Sequence, residues 1–505
     1  MAAGVTTASA LESRARPSFG RADGAAVVLV GTSAVLVAVA TSNSDRPTVA
    51  VVWGGLALAT YAGSLLCGIG GRVGRDLGLA HWRIGSWTLL WFGLAFGLVT
   101  ILWSRPQLGI AAQINVRYVL RALWLVGVGM TAWTIGYVIG PSQMARRAGT
   151  RFVDALTRRY ESDVRGRSAP WVLYAVGMVA RLASVASTGR FGYVGDAASA
   201  VSTATSYGQI LSLLSLCAPL AVSAGALQVY RERVPGARIT LAVLFLTELA
   251  FGAAAGGKQS FLIAVLAVAI PFTVSRKRVP KAALALVAIA FLTLVVPFNQ
   301  AYRDAARDGT TTLKVGEAVR DIPSIFSNTF DHSDVVETAA SSLYYLMLRS
   351  QEIETPAIIL QRTPSQIPFV GAVQLVESPA VELIPRAFWP SKPIIAVGYE
   401  ISQKYYGFSS SVYTSSAVTP FGDLYRYDGW MALLVGMLLL GCGVRLLDQV
   451  LDVRNNPHAI FMVLLLFPSL VKSELDWASL VASIPSTIII WIVAVALTFR
   501  RRRYL

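Results

Sequence analysis

The sequence predicts an all-α polytopic membrane protein with about twelve transmembrane helices. Its mean hydropathy is +0.57, and only 14% of its 505 residues are charged, which is too apolar for a soluble protein of this length. Apolar stretches of about 20 residues recur along the chain, each long enough to cross a hydrocarbon layer of ~30 Å. The richness in Leu, Ala and Val favours helices, which satisfy their own backbone hydrogen bonds within lipid.

These stretches divide the chain into five parts. A polar tail (1–23) precedes nine predicted spans (24–299), a long polar loop (300–428), three further spans (429–499) and a basic tail (500–505). The predicted spans are 24–42, 48–68, 84–104, 118–140, 169–188, 208–230, 239–256, 259–275, 281–299, 429–447, 459–472 and 480–499.

The charge distribution predicts the orientation. With the N-terminus in the cytoplasm, most Lys and Arg residues of the short loops fall inside, as does the basic run 500–503. The short outside loops hold only Arg46, Arg105, Arg117, Arg190, Lys258 and Lys472. Membrane topology therefore accounts for the net charge of +16 without nucleic acid. Both termini are expected in the cytoplasm and the 300–428 loop outside.

Cysteine and histidine usage predicts neither disulfides nor a metal site. Cys67, Cys217 and Cys442 are odd in number, scattered and apolar in context, and no HExxH or paired-cysteine motif is present. The carboxylates of "DHSD" (331–334) could bind a hard cation, but they are more simply helix caps. No metal and no cofactor are therefore expected.

Two motifs resemble known signatures only superficially. "GAAAGGKQS" (252–260) is close to a phosphate-binding loop, but Gln259 replaces the magnesium-binding Ser or Thr and the motif follows a membrane helix rather than a strand. Lys258 is then either a cap at the junction of two spans or part of an outside cavity. "GGRVGRDLG" (70–78) faintly resembles a loop of major facilitator transporters, which usually carry a long central cytoplasmic loop that this chain lacks.

Two ionisable residues lie within predicted spans. Arg181 is in the fifth span and Glu248 in the seventh. An ionisable group inside the bilayer is costly unless it is paired or hydrated. The two residues therefore either mark a functional cavity or form a structural ion pair.

The 300–428 loop contains two amphipathic segments and a stiff turn. Residues 334–348 have helical spacing with a possible capping box at Asp334 and Glu337, and 373–384 form a second such segment. The turn "IPRAFWPSKP" (384–393) carries Arg386 and Lys392 among three prolines, which restrict its conformations. The turn is either an interfacial anchor or a rigid holder of two cations.

These features resemble a known family. "LRSQEIETPAIILQRTPSQIPFVGAVQLVESPAVELIPRAFWPSKP" (348–393) is similar to the signature region of bacterial Wzy-type oligosaccharide repeat-unit polymerases, in which an Arg on a periplasmic helix precedes an IPR-x-x-WP-x-KP-like turn. "TPFGDLYRYDGWMALLVG" (419–436) resembles the family's next block, with Asp423 where Glu is usual. Three shorter stretches also resemble this family and occur in the same order, namely "GRFGYVGD" (189–196), "GGKQS" (256–260) and "AYRD" (301–304). An Arg-x10-Gly pattern described for some members is not clearly present.

The resemblance implies a GT-C-like membrane glycosyltransferase of the plasma membrane that makes O-antigen or exopolysaccharide for the cell envelope. Such an enzyme transfers a growing glycan from a polyprenyl diphosphate, such as undecaprenyl diphosphate, to a lipid-linked repeat unit. Its partners would be the lipid-linked oligosaccharide and the bilayer, with a chain-length regulator and a flippase as candidates. The implied catalytic residues are Arg386, Lys392, Arg349, Arg181 and His332. The implied substrate-binding residues are Lys258, Arg303, Tyr193, Asp196, Trp389, Arg190 and Asp423.

Cations suit this chemistry because negative charge develops on the diphosphate as the anomeric bond breaks. An acceptor hydroxyl needs at most a general base, for which the candidates are Asp196, His332, Glu352 and Glu474. Two alternatives remain. The first is another lipid-linked glycosyltransferase or polymer ligase, and the second is a twelve-helix transporter or lipid-linked glycan flippase, which would bind without forming bonds.

Overall fold

The structure is a computed structural model of the full chain. It describes residues 21–73, 79–107, 109, 111–189, 191, 208–307, 320–330, 334–384, 388–389, 391–393, 396–409, 414–472 and 474–502. The described chain is almost wholly helical, and it is an all-α polytopic membrane protein. Eleven of its helices are long and apolar enough to cross a membrane.

The eleven long helices are α1 (Arg21–Ser42), α2 (Pro47–Val73), α3 (Ile84–Ser104), α4 (Val116–Ile139), α6 (Ala169–Thr188), α7 (Gly208–Glu232), α8 (Ala237–Ala254), α9 (Lys258–Arg276), α10 (Lys281–Ala305), α16 (Pro420–Val450) and α18 (Trp477–Thr498). The shorter helices are α5 (Gln143–Thr157), α11 (Ile322–Phe330), α12 (Val335–Arg349), α13 (Glu354–Arg362), α14 (Gln374–Leu383), α15 (Val397–Glu400, continued by a π-helical turn, Ile401–Tyr405) and α17 (Pro457–Lys472). Strands β1 (Tyr160–Val164) and β2 (Phe499–Arg501) pair antiparallel.

The core contains large aromatic residues where α3, α4 and α16 meet. Phe92 and Phe96 of α3 pack edge-to-face against Phe421 of α16, and Trp133 stacks on Tyr137 within α4. The helices α4 and α16 cross closely at glycines, since a Cβ at Gly441 would overlap the backbone of α4. Small residues allow such close approach in membrane helix pairs.

The predicted loops gather at two ends of the bundle. At the first end, which we call the basic end, Ile84 N donates to Asp448 at 2.7 Å, and Trp82 Nε1 donates to Thr273 Oγ1 at 2.6 Å. The pairing of β1 with β2 brings the loop after α4 to the C-terminal segment at this same end. Loops that were predicted to share the cytoplasmic side are thus brought together.

The opposite end, which we call the site end, carries the residues that connect α10 to α16. Asn299 of α10 donates to the carbonyl of Gly256 between α8 and α9. The amide of Asn115 donates to Gln361 Oε1 at 2.8 Å, and Trp477 N donates to Asp423 Oδ2 at 2.7 Å. We call the described parts of residues 306–419 the connecting segment. It packs on the loop before α4 and also on the start of α18, where Trp477 Nε1 donates to Leu375 O at 2.9 Å.

Several predicted boundaries differ from the observed ones. The predicted eleventh span corresponds to α17, which at 16 residues is shorter than the other apolar helices and is almost entirely buried. The predicted tenth span begins at 429, whereas α16 begins at Pro420. The helix is interrupted at Asp428 and Gly429, and Gly429 has a φ of +62°. The carbonyls of Arg426 and Tyr427 at this break accept hydrogen bonds from the connecting segment instead.

Two predicted elements of the connecting segment are confirmed. The helix predicted for 334–348 is α12, and Asp334 caps it by accepting from Val336 N at 2.7 Å. The segment predicted for 373–384 contains α14. The strands β1 and β2 and the amphipathic helix α5 were not predicted.

Candidate functional site

Four cations from four helices lie together at the site end. Lys258 lies close enough to Arg303, Arg349 and Lys472 for their positive charges to repel its ammonium group. Lys258 begins α9, Arg303 lies near the end of α10, and Arg349 and Lys472 are the last residues of α12 and α17. We call these four residues the cation cluster.

The turn between α8 and α9 brings Lys258 to Arg303. Gly256 has a φ of +66°, which a glycine adopts without strain. Its carbonyl accepts from Asn299 of α10, and the hydroxyl of Tyr302 donates to Ala254 O at 2.8 Å. Because Asn299 and Tyr302 precede Arg303 on the same helix, these bonds bring Arg303 to the start of α9.

An aromatic contact joins Lys258 to α12. The Lys258 ammonium nitrogen lies 4.0 Å from the centre of the Tyr345 ring. Tyr345 is one helical turn before Arg349, so both side chains share a face of α12. The neighbouring Tyr344 ring lies 5.2 Å from the Arg105 guanidinium carbon. Helix α12 is therefore held against the membrane-crossing bundle by cations on both sides of its tyrosine pair.

Helix dipoles stabilise only some of the four cations in the cluster. Arg349 and Lys472 are at helix C-termini, where a cation is stabilised. Lys258 is at the N-terminus of α9, where the dipole favours an anion. Three cations next to that N-terminus repel Lys258 further. An anionic group at this position would relieve both unfavourable interactions.

A pair of carboxyl groups lies beside the cations. Glu352 is only 4% exposed, and burial together with the adjacent Glu474 raises the pKa of Glu352 well above its usual range. The carboxylate of Glu474 also contacts the ammonium of Lys472. Burial and the neighbouring carboxylate both favour the protonated form of Glu352, which can share its proton with Glu474.

A third carboxyl group follows in the first turn of α13. Burial raises the pKa of Glu354 to about 7, although Arg349 opposes the rise. The site therefore contains four cations and three carboxyl groups, and burial favours the protonated form of Glu352 and Glu354. The cations therefore outnumber the carboxyl groups.

Backbone contacts fix the position of Glu352. The amide of Glu352 donates to Ala95 O at 3.4 Å, within the π-helical turn Gly93–Gly97 of α3. Such turns leave backbone groups free and are frequent at functional sites. Thr355, just after Glu352, donates to Ala417 O at 2.8 Å. The carboxyl pair is therefore placed by both a membrane-crossing helix and the connecting segment.

A second polar network surrounds Asp423. Asp423 is fully buried, and it accepts from Arg426 Nη2 at 2.8 Å and from Trp477 N at 2.7 Å. Arg426 also binds Glu400 at 3.0 Å. Both carboxylate oxygens of Asp423 are thus bonded within the protein, and they join α16 to α18.

Lys392 and Trp389 lie at the end of α14. The Lys392 ammonium donates to the carbonyls of Glu382 and Ile384, each at 3.1 Å, and Trp389 Nε1 donates to Ser391 Oγ at 3.2 Å. Burial and Asp476 raise the pKa of Glu382 to about 7, while Ser479 and Lys392 oppose the rise. Ser479 Oγ donates to Glu382 Oε1 at 3.4 Å, which joins α14 to the first turn of α18.

Arg181 is paired within the membrane-crossing helices. Its Nη1 lies 2.6 Å from Glu248 Oε1, and its guanidinium carbon lies 4.4 Å from the centre of the Phe251 ring. Glu248 is 2% exposed, and its second oxygen, Oε2, has no hydrogen-bond partner among the described residues. The ion pair that the sequence offered as one of two alternatives is present.

The structure brings three of the predicted site residues together, namely Lys258, Arg303 and Arg349. It places Lys392 with Trp389, Asp423 and Arg181 in three other environments. Arg386, His332, Arg190, Tyr193 and Asp196 lie outside the described residues. Among the described residues, no group of three or more His, Cys, Asp or Glu side chains is arranged to bind a metal ion.

Sequence reasoning did not select Lys472, Glu354 or Tyr345. One signal for Lys472 was present, because it is one of the few cations in the loops predicted to lie outside. Glu352 and Glu474 were only candidates among several bases. Their proximity depends on the contact between two segments more than 100 residues apart in sequence, and no local pattern reports it.

The fold and these clusters define a helical multi-pass membrane protein with a cation-rich polar site at one end of its bundle. The family described as "Domain of unknown function (DUF8712)" matches residues 191–452, which is more than half of the chain, and the protein belongs to this family. The matched region includes Lys258, Arg303 and Arg349, whereas Lys472 and Glu474 lie beyond it. No curated protein matches the chain, and no solved structure matches it.

Proposed function

We propose that this protein is a polysaccharide polymerase that transfers a growing glycan from a polyprenyl diphosphate carrier to a lipid-linked repeat unit. The observation that carries the proposal is the cation cluster at the site end of the bundle, where α9 begins and where α10 and α17 end. A lipid diphosphate would present its charged group at this level while its chain remains in the bilayer. The resemblance of residues 348–393 to repeat-unit polymerases supports the same assignment.

The cation cluster suits the leaving group of this reaction. As the bond between the anomeric carbon and the diphosphate oxygen breaks, the electron pair of that bond passes to the diphosphate. Lys258, Arg303, Arg349 and Lys472 would stabilise this charge. The guanidinium groups can contact two phosphate oxygens at once, whereas the ammonium groups act as point charges. Arg386, on the proline-rich turn, is proposed to join them.

The Glu352–Glu474 pair suits the acceptor side of the reaction. The acceptor hydroxyl oxygen forms the new bond to the anomeric carbon, and its proton must leave. Glu474 is 27% exposed, whereas Glu352 is buried, so Glu474 is the carboxylate that is proposed to accept the proton. Glu352 is a positioning residue that orients Glu474 through the shared proton.

The remaining assignments follow from this reaction. The site end is proposed to face the outer side of the plasma membrane, with the connecting segment as a large extracytoplasmic loop and both termini in the cytoplasm. A flippase that supplies the lipid-linked repeat unit and a chain-length regulator are the proposed partners. The reaction needs no nucleotide, because the lipid diphosphate itself is the activated donor.

The test uses purified full-length protein in lipid nanodiscs with a defined polyprenyl-diphosphate-linked oligosaccharide. A ladder of products that grows by whole repeat units is expected. Transfer of a single unit to a different acceptor would favour a ligase. Movement of labelled substrate across vesicle bilayers without any new glycosidic bond would contradict the proposal and favour a flippase.

The carboxyl pair gives a matched set of variants for the same assay. Glu474→Gln should lower the rate of chain extension about a hundredfold or more, which is the usual contribution of a general base. Glu337→Gln, at an exposed position of α12, removes the same charge and should leave the rate unchanged. Equal rates of chain extension in the wild type and both variants would show that the carboxyl pair takes no part in the reaction.

A further inference from the structure

A cavity at the basic end lies far from the chemistry proposed above. It has a volume of about 630 Å³ and is lined by His81, Thr273, Lys277, Arg278 and Arg454, among others. They come from the loop before α3, from the last turns of α9 and the loop after it, and from the loop after α16. The volume is within the roughly 300–1,000 Å³ of small-molecule sites.

The charge of this cavity is positive. Arg454 is paired with Asp452 at 3.0 Å, so its charge is offset locally. None of the ion pairs among the described residues involves Lys277 or Arg278. Both side chains are exposed while they line the cavity, which favours an anionic ligand.

The cavity lies at the level where membrane-crossing helices end. Thr273 belongs to the last turns of α9, and Lys277 directly follows the last residue of that helix, Arg276. Trp82, whose indole donates to Thr273, stacks on Trp87 with ring centres 5.5 Å apart. Tryptophans of this kind are enriched at the membrane–water interface. A ligand here would be at headgroup depth.

An apolar surface continues from the mouth of the cavity. Val279, which lines the cavity, is 41% exposed and is followed by α10. No residue of the first ten in α10 is buried, and Leu286 and Ile289 are more than half exposed. A soluble phosphate would make no use of this surface, whereas acyl chains would cover it.

We infer that this cavity binds the phosphate-bearing headgroup of an anionic glycerophospholipid whose acyl chains lie along α10. Basic pockets between membrane helices are suited to such headgroups. Lys277 and Arg278 supply the contacts to phosphate, and Thr273 and Asn455 provide polar side chains around them. This lipid site is independent of the proposed glycan transfer.

The test is native mass spectrometry of the full-length protein in phosphatidylcholine micelles titrated with phosphatidylglycerol. The wild type should bind one phosphatidylglycerol preferentially. The double variant Lys277→Gln/Arg278→Gln should bind it about tenfold to thirtyfold more weakly, since each cation near an anionic surface contributes ~1 kcal/mol. The control Arg146→Gln/Arg147→Gln loses the same charge from exposed positions of α5, and it should bind as the wild type does.

Two results would overturn the inference. Equal weakening in both double variants would show a diffuse effect of net charge rather than a site. Binding of glycerophosphoglycerol or inorganic phosphate as tightly as phosphatidylglycerol would show that the cavity takes a soluble phosphate and that α10 contributes nothing. Thermal unfolding of each variant in phosphatidylcholine alone identifies any loss that comes from misfolding.

Discussion

The ammonium of Lys258 lies 4.0 Å from the centre of the Tyr345 ring. This contact joins the first residue of a membrane-crossing helix to a short helix of the connecting segment. It makes the position of α12, and with it Arg349, depend on Lys258. The cation cluster is therefore complete only when the connecting segment packs on the bundle, which places the proposed diphosphate site at the contact between the two.

The Arg181–Glu248 pair predicts a difference between single and double variants. Glu248→Leu should destabilise the protein by roughly 3–5 kcal/mol, because it leaves the Arg181 charge without its partner. Arg181→Leu/Glu248→Leu should recover most of that loss. Thermal unfolding in detergent measures the stability of the single and the double variant. If the double variant is stable and still extends glycans at the wild-type rate, Arg181 has a structural role only, and its predicted catalytic role is wrong.

The two ends of the bundle predict opposite accessibility of two exposed positions. Thr150 lies on α5 at the basic end and Ser365 follows α13 at the site end. In a background without Cys67, Cys217 and Cys442, an impermeant maleimide added to intact cells should label Ser365→Cys and leave Thr150→Cys unlabelled. Both should react after permeabilisation. The reverse pattern would invert the proposed orientation.

The close crossing of α4 and α16 predicts unequal effects of two neighbouring glycines. A Cβ at Gly441 would overlap the carbonyl of Trp133, whereas nothing lies within 4 Å of a Cβ at Gly443. Gly441→Ala should therefore destabilise the protein by about 1–3 kcal/mol through overpacking. Gly443→Ala is the matched control and should unfold at the wild-type temperature. Similar unfolding temperatures for both variants would mean that the helices cross elsewhere.

The environment of Glu354 predicts a dependence of stability on pH. Its pKa is raised from an ordinary value of 4.5 to about 7, so folding favours the protonated form. The contribution of Glu354 to the free energy of unfolding should be greatest below pH 4.5 and should fall as the pH rises toward 7. Glu354→Gln should reduce this fall by about 3 kcal/mol, since each pKa unit corresponds to about 1.4 kcal/mol, as measured by thermal unfolding between pH 4.5 and 8. An unchanged pH profile would contradict the assigned environment, and Glu337→Gln serves as the exposed control.

Hydropathy predicts most of the bundle because each span is specified locally. The limits of α6 at Ala169 and Thr188 agree with the predicted 169–188, since its apolar run ends at Gly189, which adopts a φ of +63°. The break at Gly429 was not predictable, because it depends on Val370 and Gly371 donating to carbonyls that the helix would otherwise use. The strands β1 and β2 depend in the same way on a partner at the far end of the chain.

The candidate site was predictable only in part. Lys258 and Lys472 are cations in loops that otherwise hold few. This pattern identifies each of them as a candidate, but it does not show that the two side chains lie close together. The role of Asp423 could not be read from its sequence block, since both of its oxygens are bonded to groups on α16 and α18. Arg386 lies outside the described residues, and its place in the site stays a prediction.

The most direct test of the central claim is the affinity of the purified protein for polyprenyl diphosphate. The wild type should bind the diphosphate more tightly than the monophosphate of the same lipid. Lys258→Gln/Arg349→Gln should weaken diphosphate binding about a hundredfold or more, since each charge-assisted contact contributes roughly 1.5–3 kcal/mol. Arg320→Gln/Lys404→Gln, which removes two exposed cations of the connecting segment, should bind as the wild type does. Equal affinity of both double variants and the wild type for the diphosphate would contradict the account.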